Sequence, residues 1–346
     1  MGSLGAAPTV SSAVPPALLQ WPPQWDKLGG GVTASKHAKC AEKLPAHTSP
    51  QMLRRSLGSL RLLAPALAPR GSRTLVSLPS EALAGAVETA GARAARDATT
   101  AFTHAVLGAT FLSCSTCLYL STSAGTPELR ASAPGLHALL GGLIFPTGLA
   151  MIVLNGADLL TANFYYFSAQ GIVEGAPRAA ANARAAARVF AVSCAGNAAG
   201  SLAMAGAAAA VLFPRGSPPA EAARALAERK SRLGAGVAFS KAVVANFLVC
   251  TAVFMASASK TPGGKLAALW LPITTFVTLG MEHSIMNYFL IPYGMLVGAE
   301  VTVAEALSNN LVPVTLGNAV GAFLLARLQL PPAVARAVAE RLAKRQ

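Results

Sequence analysis

Four segments of the chain are apolar over roughly the 20 residues that an α-helix needs to cross a lipid bilayer. They lie near residues 101–121, 189–213, 235–258 and 310–330, and each contains few charges. Only 12% of all residues are charged, whereas a soluble domain carries about a quarter. The sequence therefore predicts an all-α membrane protein.

Two further apolar runs, roughly 138–173 and 266–299, are longer than one straight crossing needs and too short for two crossings with a turn. Polar residues interrupt each run near its centre, beginning at Gly156 and Gly280. At membrane depth, backbone outside a helix is tolerated only where protein or water surrounds it. We therefore expect both runs to be broken helices that line a pathway.

The two interruptions share one pattern: a glycine, an acid two residues later and an asparagine five residues after the acid. These positions are Gly156, Asp158 and Asn163 in the first half, and Gly280, Glu282 and Asn287 in the second. A Gly-Asn-Ala-x-Gly motif follows in both halves, at 196–200 and 317–321, and its glycines are expected to let helices approach closely. The repetition predicts six transmembrane helices in an inverted 3+3 repeat, with helices 2 and 5 broken, as in channels and transporters. We expect Asp158 and Glu282 to accept hydrogen bonds from the loop backbone.

The amino-terminal segment differs in composition from the rest of the chain. Residues 1–80 contain nine lysines or arginines, ten prolines and ten serines, but only two acids, and no packed core is expected there. This composition, with a possible amphipathic stretch at 52–67, favours an organelle transit peptide. A disordered cytosolic tail is the alternative.

We therefore divide the chain into a transit peptide or disordered basic tail (1–79), a membrane domain (80–332) and a basic carboxyl-terminal tail (333–346). Ser80 is expected to cap a helix that continues to Ala95.

The distribution of lysine and arginine places both ends of the chain on one side of the membrane. The basic segment 214–234 falls on the other side. It is either a collar that attracts anions to a pore mouth or a solvated amphipathic segment.

Four segments, in this order, resemble the formate/nitrite transporter family: 141–162, 246–253, 272–296 and 310–321. The resemblance covers about residues 80–330. It implies a homopentamer in the lipid bilayer, with an aquaporin-like fold and a separate pore in each protomer for small monovalent anions such as nitrite, formate or bicarbonate. The chain has neither the Gly-x-Ser-x-Gly elbow of serine hydrolases nor the His-Glu-x-x-His pair of zinc proteases. We therefore expect no enzyme, no catalytic residue, no cofactor, no metal and no nucleic-acid partner.

The resemblance also implies roles for individual residues. His283 matches a central pore histidine and Thr161 a loop threonine, while Leu160 departs from the aromatic residue that the family often has. The remaining matches are the constriction residues Phe145, Leu149, Leu159 and Phe276, the polar loop and pore residues Asp158, Glu282 and Asn318, and the vestibule lysine Lys230.

A bare anion in a narrow apolar passage has a nominal desolvation cost of tens of kcal/mol, so it needs compensating dipoles or a proton. The amino termini of half-helices after the two breaks, and the hydroxyl of Thr161, supply donors. His283 either donates a proton to a weak-acid anion or stabilises it by a hydrogen bond, and the residues leave both open. The leading hypothesis is an anion channel of the plastid envelope that moves nitrite, with the plasma membrane as the alternative location. An aquaporin-like pore for water or neutral solutes is the alternative function, although the chain contains no Asn-Pro-Ala triplet.

A fluorescent protein fused behind residues 1–79 is expected to accumulate in plastids, because the composition of this segment is that of a transit peptide. The measurement is fluorescence imaging beside chlorophyll autofluorescence, with the unfused fluorescent protein as the cytosolic control. A fusion that distributes like the control would contradict the targeting role.

Overall fold

The computed structural model describes residues 75–345, apart from the side chains of Pro177 and Ala179. Most of residues 1–79, including the stretch at 52–67, lie outside the described residues. The described part is built from helices joined by short connections. They are α1 (Pro79–Ala95), α2 (Ala98–Ala124), α3 (Pro127–Ser132), α4 (Pro134–Ile144), α5 (Pro146–Asn155), α6 (Leu160–Glu174), α7 (Ala179–Ala207), α8 (Pro218–Ser231), α9 (Ala235–Ala258), α10 (Pro262–Thr278), α11 (Ser284–Leu296), α12 (Val312–Gln329) and α13 (Pro332–Ala343).

Five helical segments of the described chain are long and apolar enough to cross a membrane. They are α2, α4 with α5, α7 with its π-helical extension Ala208–Leu212, α9, and α12 with the turns that lead into it from Val303. The remaining crossing is α10 with α11, which the second interruption divides into pieces of 17 and 13 residues. Both predicted interruptions are present, between α5 and α6 and between α10 and α11. The predicted all-α fold with two broken helices is confirmed.

The glycine motifs let two pairs of helices pack backbone to backbone. A Cβ atom on Gly200 would lie 2.5 Å from the carbonyl oxygen of Val106, so α7 touches α2 there. A Cβ atom on Gly321 would lie 2.2 Å from the carbonyl oxygen of Val243, so α12 touches α9 in the same way. The predicted close approach is therefore present in both halves.

The start of α1 differs from its prediction. The helix begins at Pro79, and Leu78 is the N-cap residue, whose N–H lies 3.3 Å from the Glu81 carboxylate. The prediction that Ser80 caps the helix is wrong, because Pro79 takes the first helical position and starts the helix two residues before Glu81, where a Ser80 cap would start it.

The carboxyl-terminal segment, which the sequence assigns to a basic tail, is mostly helix α13. Val338 is fully buried, and Arg341 and Arg345 form ion pairs with Glu81 and Glu88 of α1. The two ends of the described chain are therefore held together.

Gly200→Ala is expected to lower the stability of the protein by about 1–3 kcal/mol, because its methyl group would clash with the backbone of α2. Gly206→Ala on the same helix is the matched control, since a Cβ atom there meets no atom within 4 Å. Thermal unfolding of both variants in detergent measures the difference. Equal unfolding temperatures would show that the close contact is unimportant.

Candidate functional site

Each half of the chain breaks its helix at a glycine in the left-handed region, where other residues are strained. Gly156 has a φ of +65° and Gly280 a φ of +63°. The Gly156 carbonyl lies 3.1 Å from Nδ1 of His104, and the Gly280 carbonyl accepts a hydrogen bond from Nζ of Lys241 at 3.1 Å. A polar side chain from the preceding crossing thus meets the carbonyl at each break.

One asparagine fastens the first break to its neighbours. The amide of Asn197 donates to the carbonyls of Ala105 and Asp158 at 2.7 and 3.1 Å. Its oxygen accepts the N–H of Leu160, the first residue of α6, at 2.9 Å. A single side chain therefore satisfies three backbone groups at or beside the break.

Asn318 does the same in the second half. Its amide donates to the carbonyls of Ala242 and Glu282 at 2.8 and 3.1 Å, and its oxygen accepts the N–H of Ser284 at 2.9 Å. Both amide hydrogens of this expected pore residue are thus used within the protein.

The first buried acid belongs to a polar cluster. Asp158 is 1% exposed and forms an ion pair with Arg93 of α1, which also donates to Asn163. Asn163 donates to Asp158 at 2.9 Å and to Ser193 at 2.8 Å. The guanidinium of Arg93 lies 4.9 Å from the centre of the Tyr166 ring, a cation–π contact.

The second buried acid has equivalent partners. Nζ of Lys230 lies 2.8 Å from the Glu282 carboxylate, which also accepts hydrogen bonds from Asn287 at 2.7 Å and from Asn310 at 3.2 Å. Side chains, not the loop backbone, are therefore the partners of both acids, and the expectation of backbone donors is corrected. The cause is the tight burial of the clusters, which brings a cation to each carboxylate.

Sequence reasoning missed Arg93, although the chain contains a signal for it. Residues 102–106 (Phe-Thr-His-Ala-Val) recur as 239–243 (Phe-Ser-Lys-Ala-Val). Continuing this alignment backwards with the same spacing pairs Arg93 with Lys230. The segment α1–α2 is therefore the counterpart of α8–α9, and each buried cation precedes its crossing by the same distance.

His283 and Thr161 meet at the centre of the protein. Nε2 of His283 lies 3.2 Å from Oγ1 of Thr161, and both residues are buried. Nδ1 accepts the N–H of Met286 at 3.4 Å, which assigns the proton of a neutral imidazole to Nε2. In this arrangement His283 donates to Thr161.

Aromatic and aliphatic side chains pack beside this pair. The rings of Phe145 and Phe276 are perpendicular with centres 5.9 Å apart, and the Phe276 ring lies 6.1 Å from the imidazole of His283. Leu149 and Leu159 belong to the same buried apolar cluster. Phe145, Phe276 and His283 are therefore neighbours, and the two leucines belong to the same apolar core.

The amino-terminal end of α6 presents free donors at this point. The N–H groups of Thr161 and Ala162 have no hydrogen-bond acceptor among the described residues, whereas those of Leu160 and Asn163 do. Free N–H groups and the helix dipole together favour an anion.

Outside Phe276 lies a cavity of about 290 Å³. Its charged lining consists of Arg229, Lys230, Lys241 and Glu282, and Phe276 also lines it. The lining carries two more positive than negative charges, so the cavity attracts anions. Lys230 lines this cavity and is paired with Glu282.

Comparison with known proteins gives a consistent result. Residues 80–330 match the formate/nitrite transporter family. A probable formate transporter of Methanothermobacter thermautotrophicus is 36% identical over 202 residues, which cover 54% of this chain and 72% of the relative. The formate channel FocA of Escherichia coli is 28% identical over 274 residues, 71% of this chain and 91% of the relative.

Two solved structures are similar in fold. An ion channel of the FNT family superimposes with a TM-score of 0.62 at 20% identity, covering 72% of this chain and 96% of the other. A pentameric formate channel with formate bound gives a TM-score of 0.56 at 25% identity, covering 67% and 95%.

Arg93→Met is expected to destabilise the protein by about 3–5 kcal/mol, because it leaves the Asp158 carboxylate buried without its cation. Adding Asp158→Asn should restore part of that loss. Arg178→Gln is the control, since its ion pair with Glu174 is exposed on the arginine side and contributes about 0–1 kcal/mol. Denaturant unfolding in detergent measures the free energy of unfolding of the parent protein, Arg93→Met, the double variant and Arg178→Gln. The ion pair would be unimportant if Arg93→Met matched the control.

Proposed function

The chain belongs to the formate/nitrite transporter family, and from this premise we propose that it is a membrane channel for small monovalent weak-acid anions, nitrite first among them, with formate and bicarbonate as related substrates. The observation that carries the proposal is the His283–Thr161 pair, buried behind the apolar constriction and next to the free amino-terminal end of α6. This arrangement offers several hydrogen-bond donors to one small anion and excludes a hydrated cation.

The charge balance of the surroundings supports an anion. Asp158 and Glu282 would repel an anion if they were unpaired, but Arg93 and Lys230 neutralise them. The remaining fields at the centre come from helix amino termini, which are positive. An anion at Thr161 therefore meets attraction without opposing charge.

We assign His283 the role of a neutral hydrogen-bond donor. Met286 N–H occupies Nδ1, so the proton on Nε2 points to Thr161. The hydroxyl hydrogen of Thr161 is then available to the anion. In this scheme the imidazole orients Thr161 and helps to replace the water that the anion loses. The proton that converts the anion into the neutral weak acid comes from solvent water on the side of entry, so His283 keeps its own proton.

We extend the proposal to assembly and location. The similar pentameric formate channel supports a homopentamer with one pore in each protomer. The composition of residues 1–79 supports delivery to the plastid envelope, where the channel would admit nitrite. Exposed apolar side chains on the crossings, such as Leu271, Leu316 and Leu328, are suited to contact lipid or a neighbouring protomer.

The purified protein in liposomes is expected to conduct nitrite and formate between about pH 5 and pH 8, with flux rising as the anion becomes protonated. His283→Gln should retain this pH dependence with a lower rate, because an amide keeps hydrogen bonding but does not titrate in this range. His137→Gln is the control, since His137 bonds Ser123 and Thr126 away from the pair.

Anion flux is followed with an internal pH dye or by nitrite assay, and stopped-flow light scattering reports water. Loss of the pH dependence in His283→Gln alone would identify His283 as the proton donor. Water permeation without any nitrite or formate flux would overturn the channel proposal in favour of an aquaporin-like pore.

A further inference from the structure

We call the cavity of about 290 Å³ beside Phe276 the vestibule. Its lining contains three basic side chains and one acidic side chain, so it has an excess of positive charge. Lys230 does not supply this excess, because its ammonium is buried and bonded to Glu282 at 2.8 Å. Asn310 holds the same carboxylate from the other side. The Lys230–Glu282 pair is therefore electrically neutral towards an arriving anion.

Lys241 also has a hydrogen-bond partner within the protein. Its Nζ donates to the carbonyl of Gly280, just beyond the carboxyl-terminal end of α10. A cation at that place offsets the negative end of a helix dipole. Its charge therefore stabilises the break as well as the vestibule.

Arg229 differs from the other basic residues around α8. Arg224 pairs with Glu221 and Glu228, and Arg232 lies 3.8 Å from Glu228. Arg229 is exposed and has no carboxylate within ion-pair distance among the described residues, and its side chain lines the cavity. It is the cation in the vestibule lining without a compensating partner in the described part of the chain.

We propose that Arg229 binds the anion in the vestibule before it passes the Phe145–Phe276 constriction. This inference rests on the proposed channel function and names the residue that collects its substrate. A guanidinium presents paired N–H donors that match the two oxygens of nitrite or of a carboxylate. The site thus raises the local concentration of small planar anions at the pore mouth, and salt weakens this effect.

The test uses initial rates of nitrite uptake by the full chain in neutral phosphatidylcholine liposomes, at low and at high concentrations of an impermeant salt. Arg229→Gln is expected to raise KM about threefold to tenfold at about 0.01 M salt and to have little effect at about 1 M, where the Debye length is only about 3 Å. The maximum rate should stay unchanged, because the constriction is untouched. Arg229→Lys should keep most of the low-salt affinity.

Arg224→Gln is the matched control, because it removes the same charge from the same helix at a position outside the cavity lining. Its KM should stay within about twofold of the parent value. A parent-like KM and salt dependence for Arg229→Gln, or an equal effect of Arg224→Gln, would overturn the assignment while leaving the channel intact. A parent protein that conducts neither nitrite nor formate would overturn both proposals.

Discussion

Two interrupted helices inside a membrane are possible only if their free backbone groups find partners in the protein or in water, because each unsatisfied group costs several kcal/mol in hydrocarbon. Asn197 and Asn318 supply those partners, each with two donors and one acceptor used on three backbone groups. The asparagines lie on the last crossing of each half, between glycines that bring the helices into backbone contact. The same two segments therefore provide the close helix packing and the hydrogen bonds that hold the breaks. The position of the His283–Thr161 pair depends on both.

The buried charges are also paired in both halves of the chain. Each buried acid has its own cation and an asparagine partner, so the two clusters hold the breaks without imposing a net charge on the passage. The amino-terminal end of α6 and Arg229 remain positive without a carboxylate partner among the described residues, whereas Lys241 donates to the Gly280 carbonyl. In the proposed channel, an anion moving inward would meet the exposed guanidinium of Arg229 first, then Phe145 and Phe276, then the donors at the start of α6.

The crossings and both breaks could be predicted from the sequence because hydropathy, glycine and polar interruptions are local signals. The partners of Asp158 and Glu282 could not, because Arg93 and Lys230 lie on separate helices and reach their acids only through tertiary packing. The predicted start of α1 is two residues too late, because Pro79 begins the helix before Ser80 can cap it. Lys241 and His104 gave no clear signal alone, and their role at the breaks follows from the internal repeat.

The two halves of the chain share the hydrogen bonds and ion pairs that hold the breaks, but they do not share the His283–Thr161 pair. The residue that caps the second half-helix is His283, and its counterpart is Leu159; the counterpart of Thr161 is Ile285. Asn197 and Asn318 are each constrained, since each must bond the backbone groups of its own break. His283 and Thr161 have no equivalent in the other half. Substitutions at these two positions can therefore change what the pair binds without disturbing the hydrogen bonds that close either break.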